Sequence, residues 1–524
     1  MAAGTKTINS NVTGVSVAEE AEPKYLPGEN GNPGTPTWYD RGVNSYSDLG
    51  GDVSYVAGEE INASRQNQRG TPVDIEAGGG YNIDMKNALV RDMQGFFFAD
   101  AHEKVDTDPL NGTKITITGV DPSGEYDAAP GFDDAAPGFD VFAVGAIVLA
   151  SGFTNTANNG VGTVSAAVAG TLTTDIATVA EASPPAAAKV QQVGFAFGSG
   201  DLTLTVSGGT ATLNSTSGGW ANCDLQVGEW LFIGDDAAAN RFNAGYGYGR
   251  VSSKDNNNVV LDDVAWTGGT LATDAGAGKT IRVFFGRYVR NEDDPSLIKC
   301  RTYHVERTLG EDDDGTQAEY LLGAVNNEMT ANIPLTDKHM VDFNYVALDN
   351  VHRTGLEGVK SGTHVAFPKA KPYNTSKSVW RLAMPILDPA TLSPTGMFAF
   401  ASEATFTINN NASAVKGIGV FGGFDITVGN FIGGGSVTAY FTTVESVKAI
   451  RDNADIGYNA ILARANEGLV YDIPLAGAGG GRLAVEKGQP INIPIEINGA
   501  ENPKGYTMSF TEFPYLPDVA MPAD

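Results

Sequence analysis

The chain has 524 residues and a 42% apolar fraction, which is long and apolar enough for roughly two to four domains with buried cores. Its formal net charge of −28 argues against nucleic-acid binding, because such binding needs Lys and Arg to neutralise phosphates. The two cysteines, Cys223 and Cys300, exclude a disulfide scaffold and indicate a reducing compartment, and no apolar run is long enough to span a membrane. The 65 glycines and the many Thr, Val, Asn and Ser residues predict a mainly β chain.

The first 112 residues predict an arm, a strand and a helix. Residues 1–70 are rich in Gly, Pro, Asn and Ser without periodicity, which indicates an extended N-terminal arm. Residues 71–76 alternate as a strand does, a glycine break follows, and Asp84 is the predicted N-cap of a helix that ends at Phe98. This helix is predicted to pack on a sheet through one apolar face, formed by Met85, Leu89, Met93, Phe96 and Phe97.

A tandem heptapeptide and a looser repeat follow. The sequence DAAPGFD occupies residues 127–133 and again 134–140, and its Pro-Gly turns indicate a linker. The looser repeat begins at Val144 and at Val227, and both copies have the order strand, Asn/Gly-rich loop, strand, turn, strand.

Each copy of the looser repeat is too small for a large core of its own. The sequence therefore predicts two small inserted β-barrel or sandwich domains, the first with linkers over residues 113–190 and the second over residues 191–287.

The chain then becomes an antiparallel meander. Alternating polarity around Tyr303 predicts a strand, and further strands are predicted over residues 318–325, 328–333 and 342–347. The first turn is acidic and consists of Glu311, Asp312, Asp313 and Asp314. This cluster fits a solvated turn or a weak calcium site, but it departs from an EF-hand loop because Gly310 stands where an Asp is required.

Residues 349–381 are basic in an otherwise acidic chain. The cationic residues are Arg353, Lys360, Lys369, Lys371, Lys377 and Arg381. Two interpretations remain open: a solvated loop, or a loop that docks on an acidic face of another subunit.

No motif of enzyme chemistry is present in the sequence. The five histidines lack metal-ligand spacing, and there is no G-x-S-x-G nucleophile elbow. The segment AGAGKT at residues 275–280 lacks the first glycine of a phosphate loop. We therefore predict a building block without catalytic, cofactor-binding or metal-binding residues.

Several phrases in the flanking regions are familiar. They are YHVER, AEYLLGAVNNEMTANIPL, PYNTSKSVWRL and the closing INIPIEI. With the early strand and helix, they make the chain resemble the major tail tube protein of long-tailed bacteriophages. The stretches GFTNTANNGVGTV and VGEWLFIGDD in the insert are similar to the extra domains of larger members.

This resemblance implies a split β-sandwich core with a flanking helix, built from residues 71–112 and 288–524. It implies subunits in rings, usually of six, that stack into a hollow tube through which DNA passes without sticking. It also implies other tail proteins at the tube ends, a place in the virion tail and assembly in the bacterial cytoplasm. The insert is then expected on the outer wall of the tube.

The resemblance also gives the two charged segments a role. It implies a loop that reaches from one ring to the next, for which the six cations of residues 349–381 are the first candidate and the N-terminal arm is the second. The four carboxylates of residues 311–314 become a turn at a subunit edge. The alternative function is a β-rich surface adhesin or carbohydrate-binding module, for which the insert would carry the glycan site.

Overall fold

The computed structural model describes residues 13–58, 61, 66, 68–107, 115–121, 131–133, 138–312, 315–354, 362–388 and 396–522. Strands make up most of the regular structure, which confirms the mainly β prediction. Among the described residues, no helix has the length and apolarity needed to cross a membrane.

The elements follow in chain order. Those before the insert are β1 (Gly14–Glu19), β2 (Thr37–Arg41), β3 (Val43–Gly58), β4 (Gln68–Asp84) and α1 (Val90–Phe97). The insert contributes β5 (Gly119–Asp121), β6 (Gly131–Asp133), β7 (Ala146–Ser151), β8 (Gly160–Val168), β9 (Thr171–Thr174), β10 (Lys189–Ala196), β11 (Leu202–Ser207), β12 (Thr210–Ser215), β13 (Trp230–Ile233), β14 (Tyr246–Lys254), β15 (Asn258–Thr267) and β16 (Arg282–Phe284).

The remaining strands complete the core. They are β17 (Arg287–Arg290), β18 (Tyr303–Asp312), β19 (Gly315–Pro334), β20 (Met340–Ala347), β21 (Asp349–Thr354), β22 (Thr363–Val365), β23 (Val379–Ala383), β24 (Ala401–Asn409), β25 (Ser413–Lys416), β26 (Gly423–Thr427), β27 (Ile432–Tyr440), β28 (Ile456–Arg464), β29 (Glu467–Gly480), β30 (Asn492–Gly499) and β31 (Ser509–Phe513). Helix α2 (Glu445–Arg451) lies between β27 and β28.

The core is a split sandwich organised around β19. The first half of β19 pairs with β18 and β21, and its second half pairs with β20 and β24. A bulge between Asn326 and Glu328 separates the two halves, and a bulge of this kind lets one strand turn from one sheet into another. The strands predicted over residues 318–325 and 328–333 are therefore two halves of one long strand.

The second half of β19 belongs to a sheet of eight strands, in the order β3, β4, β20, β19, β24, β27, β30, β29. Strand β29 bends out of this sheet and also pairs with β28 and β31. Aromatic rings fill the space between the two layers: Phe406 of β24 stacks on Tyr458 of β28 with ring centroids 4.1 Å apart. This contact fixes the sandwich face to face.

Helix α1 covers the core as predicted, but it starts later. All five predicted apolar residues of its face and of the preceding turn are buried. Asp84 ends β4 and is not the N-cap. Glu512 of β31 takes the capping role, because its carboxylate accepts the backbone N–H of Ala88 and Leu89 at 2.9 and 3.1 Å.

The prediction of an extended arm over residues 1–70 is wrong for its described part. Strand β1 pairs with β18 over six residue pairs, and Val17 and Trp38 are buried. The predicted glycine break after residue 76 is also wrong, since β4 continues through it. Gly78 and Gly79 have positive φ there, which lets the strand bend without stopping.

The insert is one continuous sheet of two equivalent units. Its strand order is β5, β6, β9, β8, β7, β10, β16, β13, β14, β15, β12, β11. Residues 119–196, here called unit 1, and residues 202–284, here called unit 2, therefore have the same order, reversed about the antiparallel pair of β10 and β16. Each unit keeps its own apolar cluster.

This arrangement confirms the looser repeat and extends it from three strands to six. It also corrects two expectations. A boundary at residue 190 would cut β10, which completes unit 1. The first heptapeptide is not simply a linker, because its Gly131–Asp133 segment is β6 and Phe132 is fully buried. The rest of that copy and residues 134–137 lie outside the described residues.

Candidate assembly surfaces

One face of the eight-stranded sheet is polar and open to solvent. Along each strand, apolar residues that point into the core alternate with Thr, Asn, Ser, Asp or Glu that point outward, as in a sheet with one wet face. We call this surface the acidic face, because its outward carboxylates are Asp84, Glu328, Asp342, Glu403 and Glu496.

The strands of the acidic face contribute no Lys or Arg to it. The paired stretches that form it, residues 77–84, 328–334, 340–347, 401–409, 432–440 and 492–499, contain no Lys or Arg. Amide side chains hold its carboxylates in place: Asp342 accepts from Asn82 at 2.7 Å and from Asn332 at 2.8 Å. Lys338, in the turn after β19, pairs with Asp84 at 2.6 Å at the rim. The result is a fixed, polar and negative surface.

The opposite side of the core holds the insert. Strands β28 and β29 alternate between two environments: Leu462 and Tyr471 face the main core, whereas Ile461 and Val470 face the insert. Trp230 of unit 2 is fully buried in this second layer. The layers are therefore, in order, the acidic face, the main core, the β28–β29–β31 layer and the insert.

A charged network locks unit 2 to the core. Arg250 of β14 donates to both carboxylate oxygens of Asp472 at 3.2 Å and to Asp262 at 2.8 Å. Arg381 of β23 donates to Asp263 at 2.8 Å. Three carboxylates face two guanidinium groups here. Removal of one partner from a buried ion pair strongly destabilises a protein, because the other charge is then left buried and uncompensated.

Burial raises the pKa of Asp472 to about 6, and the nearby Arg250 opposes part of that rise. Sequence reasoning missed the network. Arg250 and Asp472 lie 222 residues apart, and no local spacing reveals such a pair.

The structure divides the six predicted cations of the basic segment. Arg353 lies within β21, paired in register with Ala318, and Arg381 belongs to the insert–core network. Neither is on a loop that could reach another subunit. Lys369, Lys371 and Lys377 are exposed on the segment that crosses from β22 to β23, while Lys360 lies outside the described residues.

The predicted acidic turn is tighter than expected. Asp312 pairs with Gly315 at the end of the β18–β19 hairpin, so the strands continue almost to the tip. Glu311 is exposed, and Asp313 and Asp314 lie outside the described residues. In the part of the chain that the structure describes, no group of three or more His, Cys, Asp or Glu is arranged to hold a metal ion.

Comparison with known families agrees with this architecture. Residues 258–499 match the model of a family described as phage tail tube protein. The match covers a little under half of the chain and runs from β15 to β30, so it includes most strands of the acidic face. No curated protein matches the chain. The match supports the identification of this chain as a phage tail tube protein, a structural component of the virion tail that works beside other tail proteins.

Proposed function

We propose that the chain is the subunit of the tail tube of a long-tailed phage and belongs to a larger variant with an inserted pair of β units. Six copies form a ring, rings stack into a hollow tube, and DNA passes through the bore. The acidic face lines that bore. The single observation that carries this proposal is the wide polar sheet surface with five outward carboxylates and no strand Lys or Arg.

A bore wall of this kind lets DNA pass without binding it. Duplex DNA carries about one negative charge per 1.7 Å of its axis, and Lys or Arg on the wall would hold it through phosphate contacts. A wall of carboxylates, amides and hydroxyls stays hydrated and repels the phosphates. The amide hydrogen bonds to Asp342 hold this carboxylate in place on the wall.

Strand β3 supports closure of a ring. It is one edge of the eight-stranded sheet and, among the described residues, pairs only with β4. An edge strand offers unpaired N–H and C=O groups, which monomeric proteins shield with charged side chains, Pro or β-bulges. Val43–Gly58 has bulges but contains no Lys, Arg or Pro. We propose that this edge pairs with the sheet of the neighbouring subunit in the ring.

The layer order supports an outer position for the insert. The acidic face and unit 2 lie on opposite sides of the main core. If the acidic face lines the bore, the insert is on the outer wall and leaves the channel open. Assembly takes place in the cytoplasm of the bacterial host.

Electron microscopy of the purified protein in virion-like salt tests the proposal. We expect rings or tubes with an open bore, and particles that remain monomeric at high concentration would contradict it. A matched pair of variants then tests the bore wall: Glu496→Lys adds a cation to every subunit on the acidic face, and Asp140→Lys adds one at an exposed position of the insert.

Tubes of Glu496→Lys should retain short duplex DNA when they are pelleted, whereas wild type and Asp140→Lys should release it. Equal retention by both variants would contradict the assignment of the acidic face to the bore.

A further inference from the structure

The two ends of the eight-stranded sheet carry different surfaces. Strands β19 and β24 run antiparallel, with Glu328 opposite Asn409 at one end and Pro334 opposite Glu403 at the other. Six residue steps of β24, from Glu403 to Asn409, separate these ends by roughly 20 Å at about 3.4 Å per residue. We call the end at Asn409 the hairpin end and the end at Pro334 the groove end.

An apolar hairpin projects at the hairpin end. Strands β25 and β26 pair only with each other among the described strands, and the tip between them is glycine-rich. Ile418 at the tip is fully exposed, Phe424 is 53% exposed, and Val420 and Phe421 are partly exposed beside them. Large apolar side chains gathered on one small projection are typical of a contact site.

This hairpin is held in a fixed position. Lys416 forms ion pairs with Asp74 and Glu76 of β4. Lys24 donates to the carbonyl oxygens of Phe421 and Gly423, at 3.2 and 2.8 Å. The projection therefore does not need to become ordered when it binds, which lowers the cost of association.

A groove of mixed polarity, with several apolar side chains, lies at the groove end. It has a volume of about 520 Å³ and is lined by the end of β19, by β23 and by the residues before β24. Leu335 is 52% exposed and Phe400 is 73% exposed, and Trp380 and Leu382 form part of the wall. The groove is large enough for several apolar side chains of the hairpin tip.

The two ends also carry some exposed charges of opposite sign. Exposed carboxylates at the hairpin end include Asp52, Glu311 and Asp425. The groove end carries the exposed Lys369 and Lys371, because their segment joins the turn after β19 through the contact of His339 N–H with the Tyr373 carbonyl. Opposite charges at opposite ends favour one orientation of approach.

We propose that the β25–β26 hairpin of one subunit inserts into the groove of a second copy in the adjacent ring. Two different, complementary patches at opposite ends of one molecule make a head-to-tail contact, and repetition of such a contact gives an open-ended filament. This inference rests on the proposed tube function and names the contact that stacks the rings. In this arrangement the basic segment is part of the surface that receives the neighbouring subunit. The hairpin, and not the basic segment, reaches from one ring to the next.

Ile418→Asp tests the contact with little risk to folding, because the side chain is fully exposed. The matched control is Val168→Asp, at an exposed position of unit 1. We expect Ile418→Asp to keep the unfolding midpoint of wild type and to raise the protein concentration needed for tubes at least tenfold. Val168→Asp should assemble as wild type does. Tubes of normal length and yield from Ile418→Asp would overturn the inference.

A cross-link tests the pairing directly. In a Cys300→Ser background, Ile418→Cys and Phe400→Cys place one thiol at each end of the molecule. They lie too far apart to join within one chain, so oxidation of tubes should give a ladder of covalent multimers.

A ladder that appears in tubes and disappears when either cysteine is omitted supports the contact, and tubes without a ladder overturn it. If wild type forms neither rings nor tubes, the proposed function itself fails. If wild type forms tubes and both tests are negative, only the hairpin contact fails.

Discussion

Units 1 and 2 of the insert share one strand order, yet their charged contacts with the rest of the chain differ in burial. Unit 2 buries Arg250 against Asp472, whereas Lys189 of unit 1 approaches Asp106 at 3.9 Å and stays 27% exposed. The aligned repeats place Trp230 and Arg250 of unit 2 where unit 1 has Ile147 and Thr163. Ile147 is also buried at the junction with the core, but Thr163 is half-buried and only accepts a hydrogen bond from Arg282 at 3.3 Å. Topology alone therefore does not decide which copy anchors the insert; a few side chains do.

The largest expected difference in stability between the units is at Arg250 and the aligned Thr163. Arg250→Ala should lower the free energy of unfolding by about 3–5 kcal/mol, because it leaves the buried Asp472 without its cation. Thr163→Ala should cost less than about 1 kcal/mol. Urea denaturation followed by tryptophan fluorescence measures both. Similar losses for the two variants would show that the units anchor the insert equally.

The pH dependence of stability sharpens the comparison. The folded pKa of Asp472, about 6, lies above its ordinary value of 3.8, so the folded state binds its proton more tightly than the unfolded state. The stabilisation by this proton is complete below about pH 4 and is lost as pH rises through 6. It amounts to about 1–3 kcal/mol.

Asp472→Asn removes this titration. The free energy of unfolding of wild type minus that of the variant should therefore fall between pH 4 and pH 7, as measured by thermal unfolding at intervals of half a pH unit. A constant difference would show that Asp472 is ionised throughout and that unit 2 is anchored by a permanent ion pair.

The smallest effect concerns a single hydroxyl of unit 2. Tyr248 donates to the carbonyl oxygen of Ala520 at 2.9 Å and is buried, whereas the aligned residue of unit 1 is Val161. Tyr248→Phe should cost about 1 kcal/mol, since it leaves that carbonyl unpaired. Tyr440→Phe, at a partly exposed position of β27, serves as the control and should leave stability unchanged. Equal effects of Tyr248→Phe and Tyr440→Phe on stability would show that this hydrogen bond does not help to anchor unit 2 to the core.

The sequence predicted what local periodicity encodes. The apolar face from Met85 to Phe97, the strands of the repeat and the alternation in β20 and β30 all depend on neighbours a few residues apart. The pairing of β1 with β18 and the capping of α1 by Glu512 join distant parts of the chain. Their local sequences look irregular or neutral, so propensity could not reveal them.

The candidate surfaces also combine features that the local sequence reveals with features that depend on distant parts of the chain. Outward Thr, Asn and Glu residues of the acidic face alternate visibly in phrases such as INIPIEI, but only the register places six strands side by side. Arg381 looked like part of a basic loop because charge along the sequence does not reveal a partner such as Asp263. The charge pattern along the sequence therefore located the charged segments correctly but did not identify the residues with which these charges pair.

A cryo-EM reconstruction of the assembled protein tests the central claim most directly. We predict that Glu328, Glu403 and Glu496 point toward the tube axis and that units 1 and 2 lie on the outer wall. A tube in which the insert or another surface lines the bore while these carboxylates face outward would contradict the account.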